Sequence, residues 1–71
     1  MPKPAGAHIR SLRQRRGVKT GTFAEQVGVS RQHMTAIEAN GVAASIEVLN
    51  RIAEQLDVDV NELIDESAVA S

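Results

Sequence analysis

The stretch that most constrains the fold covers residues 20–39, TGTFAEQVGVSRQHMTAIEA, because it holds two short amphipathic segments separated by one glycine. Phe23, Ala24 and Val27 recur at the spacing of one helix face. Gly28 can adopt a positive φ without a Cβ penalty, as the end of a helix requires. The pattern therefore predicts a helix, a tight turn and a second helix.

The second segment begins at Ser30, whose hydroxyl can accept a hydrogen bond from a free N–H of the first helical turn. Met34 and Ile37 supply the apolar edge of this helix. At about 100° per residue, His33 and Glu38 fall on the two borders of the opposite face. That face carries polar and small side chains, namely Gln32, Thr35, Ala36 and Ala39, with Arg31 beside them.

These side chains are of the types that read base edges in duplex DNA. Arginine forks onto guanine, glutamine pairs with adenine, and a threonine or alanine methyl group meets the thymine methyl group. A solvated helix face favours Glu and Lys pairs instead. We predict four base-reading residues: Arg31, Gln32, Thr35 and Ala36. The alternative for Arg31 or Gln32 is a contact to phosphate only.

The motif resembles the helix-turn-helix of the phage-repressor and Cro family, also called the XRE type. The resemblance rests on Ala24, Gly28, Val29, Met34 and Ile37, and continues through IRSLRQRRGV before the motif and SIEVLNRIAEQLDVDVNELI after it. It covers residues 9–64. It implies an all-α, compact, five-helix lambda-repressor-like DNA-binding domain in which helices 2 and 3 form the helix-turn-helix.

The helical spacing and the cap signals place the elements within this frame. Ser45 is the predicted N-cap of helix 4, whose apolar stripe repeats every three to four residues. The expected helices include helix 1 over residues 7–16, helix 2 over residues 20–27 and helix 5 over residues 60–65. The expected organisation is a flexible N-terminal arm over residues 1–6, the domain over residues 7–65 and a flexible tail over residues 66–71.

The resemblance also implies contacts to the DNA backbone. Arg13 and Thr20 match family positions, and we also predict backbone contacts from four side chains chosen by their place in this chain: Lys19, Ser30, His33 and Asn40. For His33 the alternative is a bystander role. Arg13 and Glu38 match an ion pair of the family, for which a purely structural salt bridge is the alternative reading. Helix 2 departs from the family, because it starts Lys-Thr-Gly-Thr where relatives usually have Ser-Gln-Glu-Glu. The loop ANGVAA lacks the basic residues that relatives commonly place there, so we expect weaker non-specific DNA binding.

The charge of the chain is strongly divided, although its net value is −1. Residues 1–31 contain seven Lys or Arg residues and one Glu, whereas residues 32–71 contain one Arg and eight Asp or Glu residues. This asymmetry indicates one anion-seeking side. The alternative is that the two halves neutralise each other within the fold.

Several function classes are excluded by composition. The chain has no cysteine, and its two histidines do not have a metal-ligand spacing, so no metal site or cofactor is expected. No apolar run approaches the roughly 20 residues of a membrane span, and no signal-peptide core is present, which predicts a cytoplasmic protein. The sequence shows no nucleophile paired with a general base, so nothing in it indicates an enzyme.

The sequence thus predicts a transcriptional regulator that binds double-stranded DNA sequence-specifically. The simplest form is a small homodimeric repressor on a pseudo-palindromic operator, with helix 3 in the major groove. Its predicted dimer interface comprises Val60, Leu63 and Ile64, with Val69 as a further candidate and an ordinary core role as the alternative. The competing hypotheses are an antitoxin, a restriction-modification controller, or a protein-interaction module that binds a partner through its acidic C-terminal half.

Overall fold

The computed structural model describes residues 4–64 of the chain. Four α-helices and a short 3-10 helix follow one another. Their bounds are Gly6–Arg15 (α1), Thr20–Val27 (α2), Arg31–Asn40 (α3), Ile46–Leu56 (α4) and Val60–Leu63 (the 3-10 helix). The all-helical fold class is confirmed, and α2 and α3 coincide with the predicted helix-turn-helix. The predicted tail over residues 66–71, with Val69, lies outside the described residues.

The ends of the helices follow local sequence signals. The Ser30 hydroxyl accepts a hydrogen bond from the His33 N–H at 3.0 Å, and the Ser45 hydroxyl accepts one from the Val48 N–H at 3.2 Å. Gly28 ends α2 in the left-handed conformation, with a φ of 89°. Both predicted N-caps and the glycine turn are therefore confirmed.

The core lies where the four α-helices meet the 3-10 helix. Phe23, the single aromatic residue of the chain, is 1% exposed, and Val27, Met34 and Ile37 bury the apolar sides of α2 and α3 beside it. The other buried apolar side chains are Ile9, Ala24, Ala44, Leu49, Ile52, Ala53, Leu56 and Leu63. Burial of each large apolar side chain stabilises the fold by about 1.5–3 kcal/mol. This packing fixes the rotation of α3 and so determines which of its side chains face outward.

The prediction of a fifth α-helix over residues 60–65 is wrong, because the chain forms a four-residue 3-10 helix there. Asp59 caps this helix by accepting a hydrogen bond from the Asn61 N–H at 2.8 Å. Ile64 then becomes extended and forms an isolated antiparallel β-bridge with Pro4. This long-range pairing ends the helix before further α-helical turns can propagate. Residues 4–64 therefore contain four α-helices rather than five.

The start of the described chain packs onto the domain. Pro4 is buried, and the Ala5 N–H donates a hydrogen bond to the Leu63 carbonyl oxygen at 2.7 Å. Helix α1 already begins at Gly6. The predicted flexible arm over residues 1–6 is therefore wrong for residues 4–6, because backbone pairing with the end of the 3-10 helix holds them in place.

Leu63 is also misplaced in the predicted dimer interface. Its side chain is 0% exposed in the single chain, so it offers no surface to a second copy. Val60 and Ile64 are half-buried and pack against the same core. Two of the three predicted interface residues therefore retain accessible surface.

Within residues 4–64, no helix is long and apolar enough to cross a membrane. The same part of the chain contains no group of three or more His, Cys, Asp or Glu residues that could hold a metal ion. The site that the fold positions is instead a surface formed by α3 and the start of α2.

Candidate nucleic-acid interface

The outward face of α3 carries the side chains that the sequence predicts to read bases. Arg31, Gln32 and Thr35 are exposed, and Ala36 is half-buried. Met34, Ile37 and Glu38 on the opposite side of the helix are buried. The face thus presents one guanidinium, one amide, one hydroxyl and small side chains to the outside. Their reading of bases remains a prediction.

A cationic cleft lies beside this face, at the start of α2. Its volume is about 470 Å³, and it is lined by Arg13, Lys19, Thr20, Gly21, Thr22 and Arg31. Lys19 is the N-cap residue of α2, and neither a side-chain cap nor an acidic residue occupies the first turn of this helix. Free N–H groups at a helix start attract anions, as does the positive end of the helix dipole. We name this feature the α2 cleft.

A second, smaller cleft of about 210 Å³ joins the α2 cleft to the middle of α3. Arg13 and Thr20 line both clefts, and Thr35 lines the second one. Its other lining residues are Arg10, Glu38 and Ala39. The structure therefore brings a predicted base-reading residue next to two residues predicted to contact the DNA backbone.

Arg13 and Glu38, whose pairing the family resemblance implies, lie in direct contact below these clefts. The Arg13 Nε and Nη2 atoms donate to the two Glu38 carboxylate oxygens at 2.9 and 3.0 Å. The Arg13 Nη1 atom donates to the Val18 carbonyl oxygen at 2.6 Å. The two side chains are 8% and 4% exposed. The ion pair therefore links α1 to α3, and the bond to Val18 links α1 to the segment that precedes α2. These bonds leave little of the Arg13 guanidinium free to reach a phosphate.

The remaining predicted backbone contacts lie at the ends and at the far border of α3. Asn40 is exposed at the C-terminal end, and His33 is half-buried on the border away from Glu38. Ser30 is exposed, but its hydroxyl is engaged as the N-cap of α3. A helix in the major groove has phosphates on both sides, so the two borders of α3 are suited to different strands.

The sequence did not assign Gly21 or Thr22 to the interface, although both line the α2 cleft. The signal for Thr22 was its place in the first turn of α2, where a hydroxyl reaches the same side as the free N–H groups. Arg16 lies elsewhere, because its Nη2 atom donates to the Leu56 carbonyl oxygen at 2.8 Å, at the end of α4. Only part of the arginine-rich segment therefore contributes to the interface.

The comparisons with known proteins agree with this geometry. The family model described as a helix-turn-helix domain matches residues 5–65. The transcriptional regulator SinR of Bacillus subtilis is 34% identical over 62 residues, which cover 86% of this chain and 56% of SinR. The chain therefore spans about half the length of this curated relative.

Two solved structures have the same fold. A crystal structure of SinR, a master regulator for biofilm formation, in complex with DNA superposes with a TM-score of 0.73 at 32% identity, covering 79% of this chain and 90% of that one. The restriction-modification controller protein C.AhdI from Aeromonas hydrophila superposes with a TM-score of 0.74 at 26% identity, covering 80% of this chain and 86% of that one. The chain belongs to the XRE-type helix-turn-helix domain family.

Proposed function

We propose that the chain binds double-stranded DNA sequence-specifically and regulates transcription, with α3 lying in the major groove. The observation that carries this proposal is the position of the polar and small face of α3 next to the cationic α2 cleft. One surface thus offers side chains for base edges and positive groups for the flanking phosphates. The SinR structure, solved in complex with DNA, supports the same use of the fold.

The residues divide between two kinds of contact. Gln32, Thr35 and Ala36 face outward from the middle of the α3 surface and are the proposed base readers. Lys19 and Thr20 hold the phosphate at the start of α2, with Ser30, His33 and Asn40 beside the backbone at the borders of α3. Arg13 acts mainly by positioning α2 and α3, because the Glu38 carboxylate and the Val18 carbonyl engage its guanidinium.

We further propose that the regulator acts as a homodimer on a pseudo-palindromic operator and represses by occupying it. Val60 and Ile64, the first residue and the C-cap residue of the 3-10 helix, supply the half-buried apolar surface for pairing. In such an arrangement the two half-sites lie about 34 Å apart, one turn of duplex. A restriction-modification controller is the second candidate role, favoured by the 86% coverage of C.AhdI.

Gln32→Ala is expected to weaken binding to a selected operator by about tenfold and to relax the preference at one base pair, since a bidentate base contact is worth about 1–3 kcal/mol. The operator is first selected from a random pool of duplexes with the wild-type chain. Salt-titrated gel shifts then compare the operator with an unrelated duplex. Gln55→Ala, which changes an exposed glutamine of α4, is the matched control and is expected to bind like the wild type.

Two other results would contradict these expectations. If Gln32→Ala keeps the base preference and weakens both duplexes equally, Gln32 is a backbone contact. If the wild-type chain retains no duplex selectively, the DNA-binding proposal itself fails, and a protein-interaction role of the acidic half takes its place.

A further inference from the structure

Arg31 has surroundings that differ from those of Gln32 and Ala36 on the outward face of α3. It is the first residue of this helix, on the border nearest α2, and it lines the α2 cleft together with Lys19 and Thr20. Gln32 and Ala36 line none of the clefts at the start of α2. Arg31 is therefore placed with the cationic groups of the cleft rather than with the middle of the α3 face.

The Arg31 side chain lies close to Gly21 of α2. A Cβ atom built on Gly21 would lie 3.8 Å from the Arg31 Cδ atom, and no other heavy atom outside the immediate neighbourhood would be within 4 Å. The stem of Arg31 thus passes over the first turn of α2, at ordinary van der Waals distance from the position that a larger side chain would fill. A leucine at position 21 would extend from that Cβ into the path of the stem.

The guanidinium of Arg31 is available for a ligand. Within residues 4–64, no carboxylate or carbonyl oxygen forms a hydrogen bond or ion pair with it. Arg31 shares the α2 cleft with Lys19, and the first turn of α2 holds no acidic residue. Glu25, further along α2, lines a neighbouring cleft with Arg31 but forms no ion pair with it. A guanidinium binds phosphate in a bidentate manner, and such charge-assisted bonds are about twice as strong as neutral ones.

We propose that Arg31, whose stem lies over the small residue at position 21, is a ligand of the DNA phosphate at the start of α2, so that base reading is left to Gln32, Thr35 and Ala36. The inference rests on the proposed DNA binding and refines it, because it moves Arg31 from the base-reading set to the backbone set.

The test compares salt-dependent binding of the full chain and its variants to two probes. One probe is a duplex selected by the wild type from a random pool, and the other is a set in which each base pair of that duplex is changed in turn. Arg31→Ala is expected to weaken all duplexes by about the same tenfold factor. It is also expected to make the plot of the logarithm of the association constant against the logarithm of the salt concentration shallower, by about 0.9 for each phosphate contact that is lost. The base preferences are expected to stay unchanged, and Arg31→Lys is expected to restore most of the slope.

Gly21→Leu supplies the second arm, because it obstructs the stem of Arg31 without removing a charge. Gly21→Leu is expected to lower the salt dependence of DNA binding as Arg31→Ala does. The variant that combines both changes is expected to show no greater loss than Arg31→Ala alone. Gly21→Ala leaves the stem in place and is expected to keep the wild-type slope. Circular dichroism of each variant confirms that the helices are retained.

Two results would overturn the inference. The first is a loss of preference at a single base pair in Arg31→Ala, which would make Arg31 a base reader. The second is an additive loss in the combined variant, which would show that Gly21 acts independently of Arg31. Failure of the proposed function has a different signature, because the wild-type chain would then select no duplex from the pool.

Discussion

Glu38→Ala is expected to lower the free energy of unfolding by about 3–5 kcal/mol, because it leaves the Arg13 guanidinium buried without its counter-charge. The pair is almost inaccessible to water, with side-chain exposures of 8% and 4%, and it joins residues 25 positions apart. A chain of this size has a total stability near the low end of about 5–15 kcal/mol. Urea denaturation followed by circular dichroism measures the loss.

Glu47→Ala is the matched control, because it breaks the exposed pair in which Glu47 accepts from Arg51 at 2.7 Å. The two side chains of that pair are 48% and 72% exposed, and exposed pairs contribute less than about 1 kcal/mol. Equal losses for Glu38→Ala and Glu47→Ala would show that the buried pair does not hold the helices together.

Gly6→Ala is expected to destabilise the fold by about 3 kcal/mol, because the start of α1 lies directly against the backbone of α3. A Cβ atom on Gly6 would lie 2.6 Å from the Glu38 carbonyl oxygen and would also overlap the Ile37 carbonyl oxygen. Backbone atoms cannot move aside as the end of a side chain can, so α1 and α3 must separate. Thermal and urea denaturation both report the effect.

Gly21→Ala is the control for this change, because Gly21 is also a glycine in the first turn of a helix. The added methyl group meets only the Arg31 side chain there, and the higher helix propensity of alanine stabilises by up to about 1 kcal/mol. The two alanine substitutions are therefore expected to shift stability in opposite directions. A Gly6→Ala variant as stable as the wild type would mean that α1 and α3 are not in close contact.

The features predicted correctly from the sequence depend on local signals. The bounds of α2, the Ser30 and Ser45 caps and the turn at Gly28 follow from helical spacing and from side chains that act on adjacent backbone. The outward face of α3 follows from the same spacing, since Met34 and Ile37 had to face the core. These features need no knowledge of how the helices cross.

The errors all involve contacts between distant parts of the chain. The β-bridge of Pro4 with Ile64 shortens the fifth helix and holds the segment before α1. No local sequence pattern predicts a pairing between residues so far apart in the chain. Leu63 has the same apolar character as Ile64, so the sequence could not show that it alone is fully buried. The path of Arg31 over Gly21 depends on the angle between α2 and α3. The sequence therefore could not decide whether Arg31 contacts a base or a phosphate.

The contact of the α3 face with DNA is tested most directly by nuclear magnetic resonance of the isotopically labelled chain, titrated with the selected duplex. The expected result is a set of amide chemical-shift changes concentrated in α3, Arg31–Asn40, and at residues 19–22 at the start of α2. Changes confined to α4, Ile46–Leu56, with an unaltered α3 would contradict the proposed interface, because the acidic half would then be the binding surface.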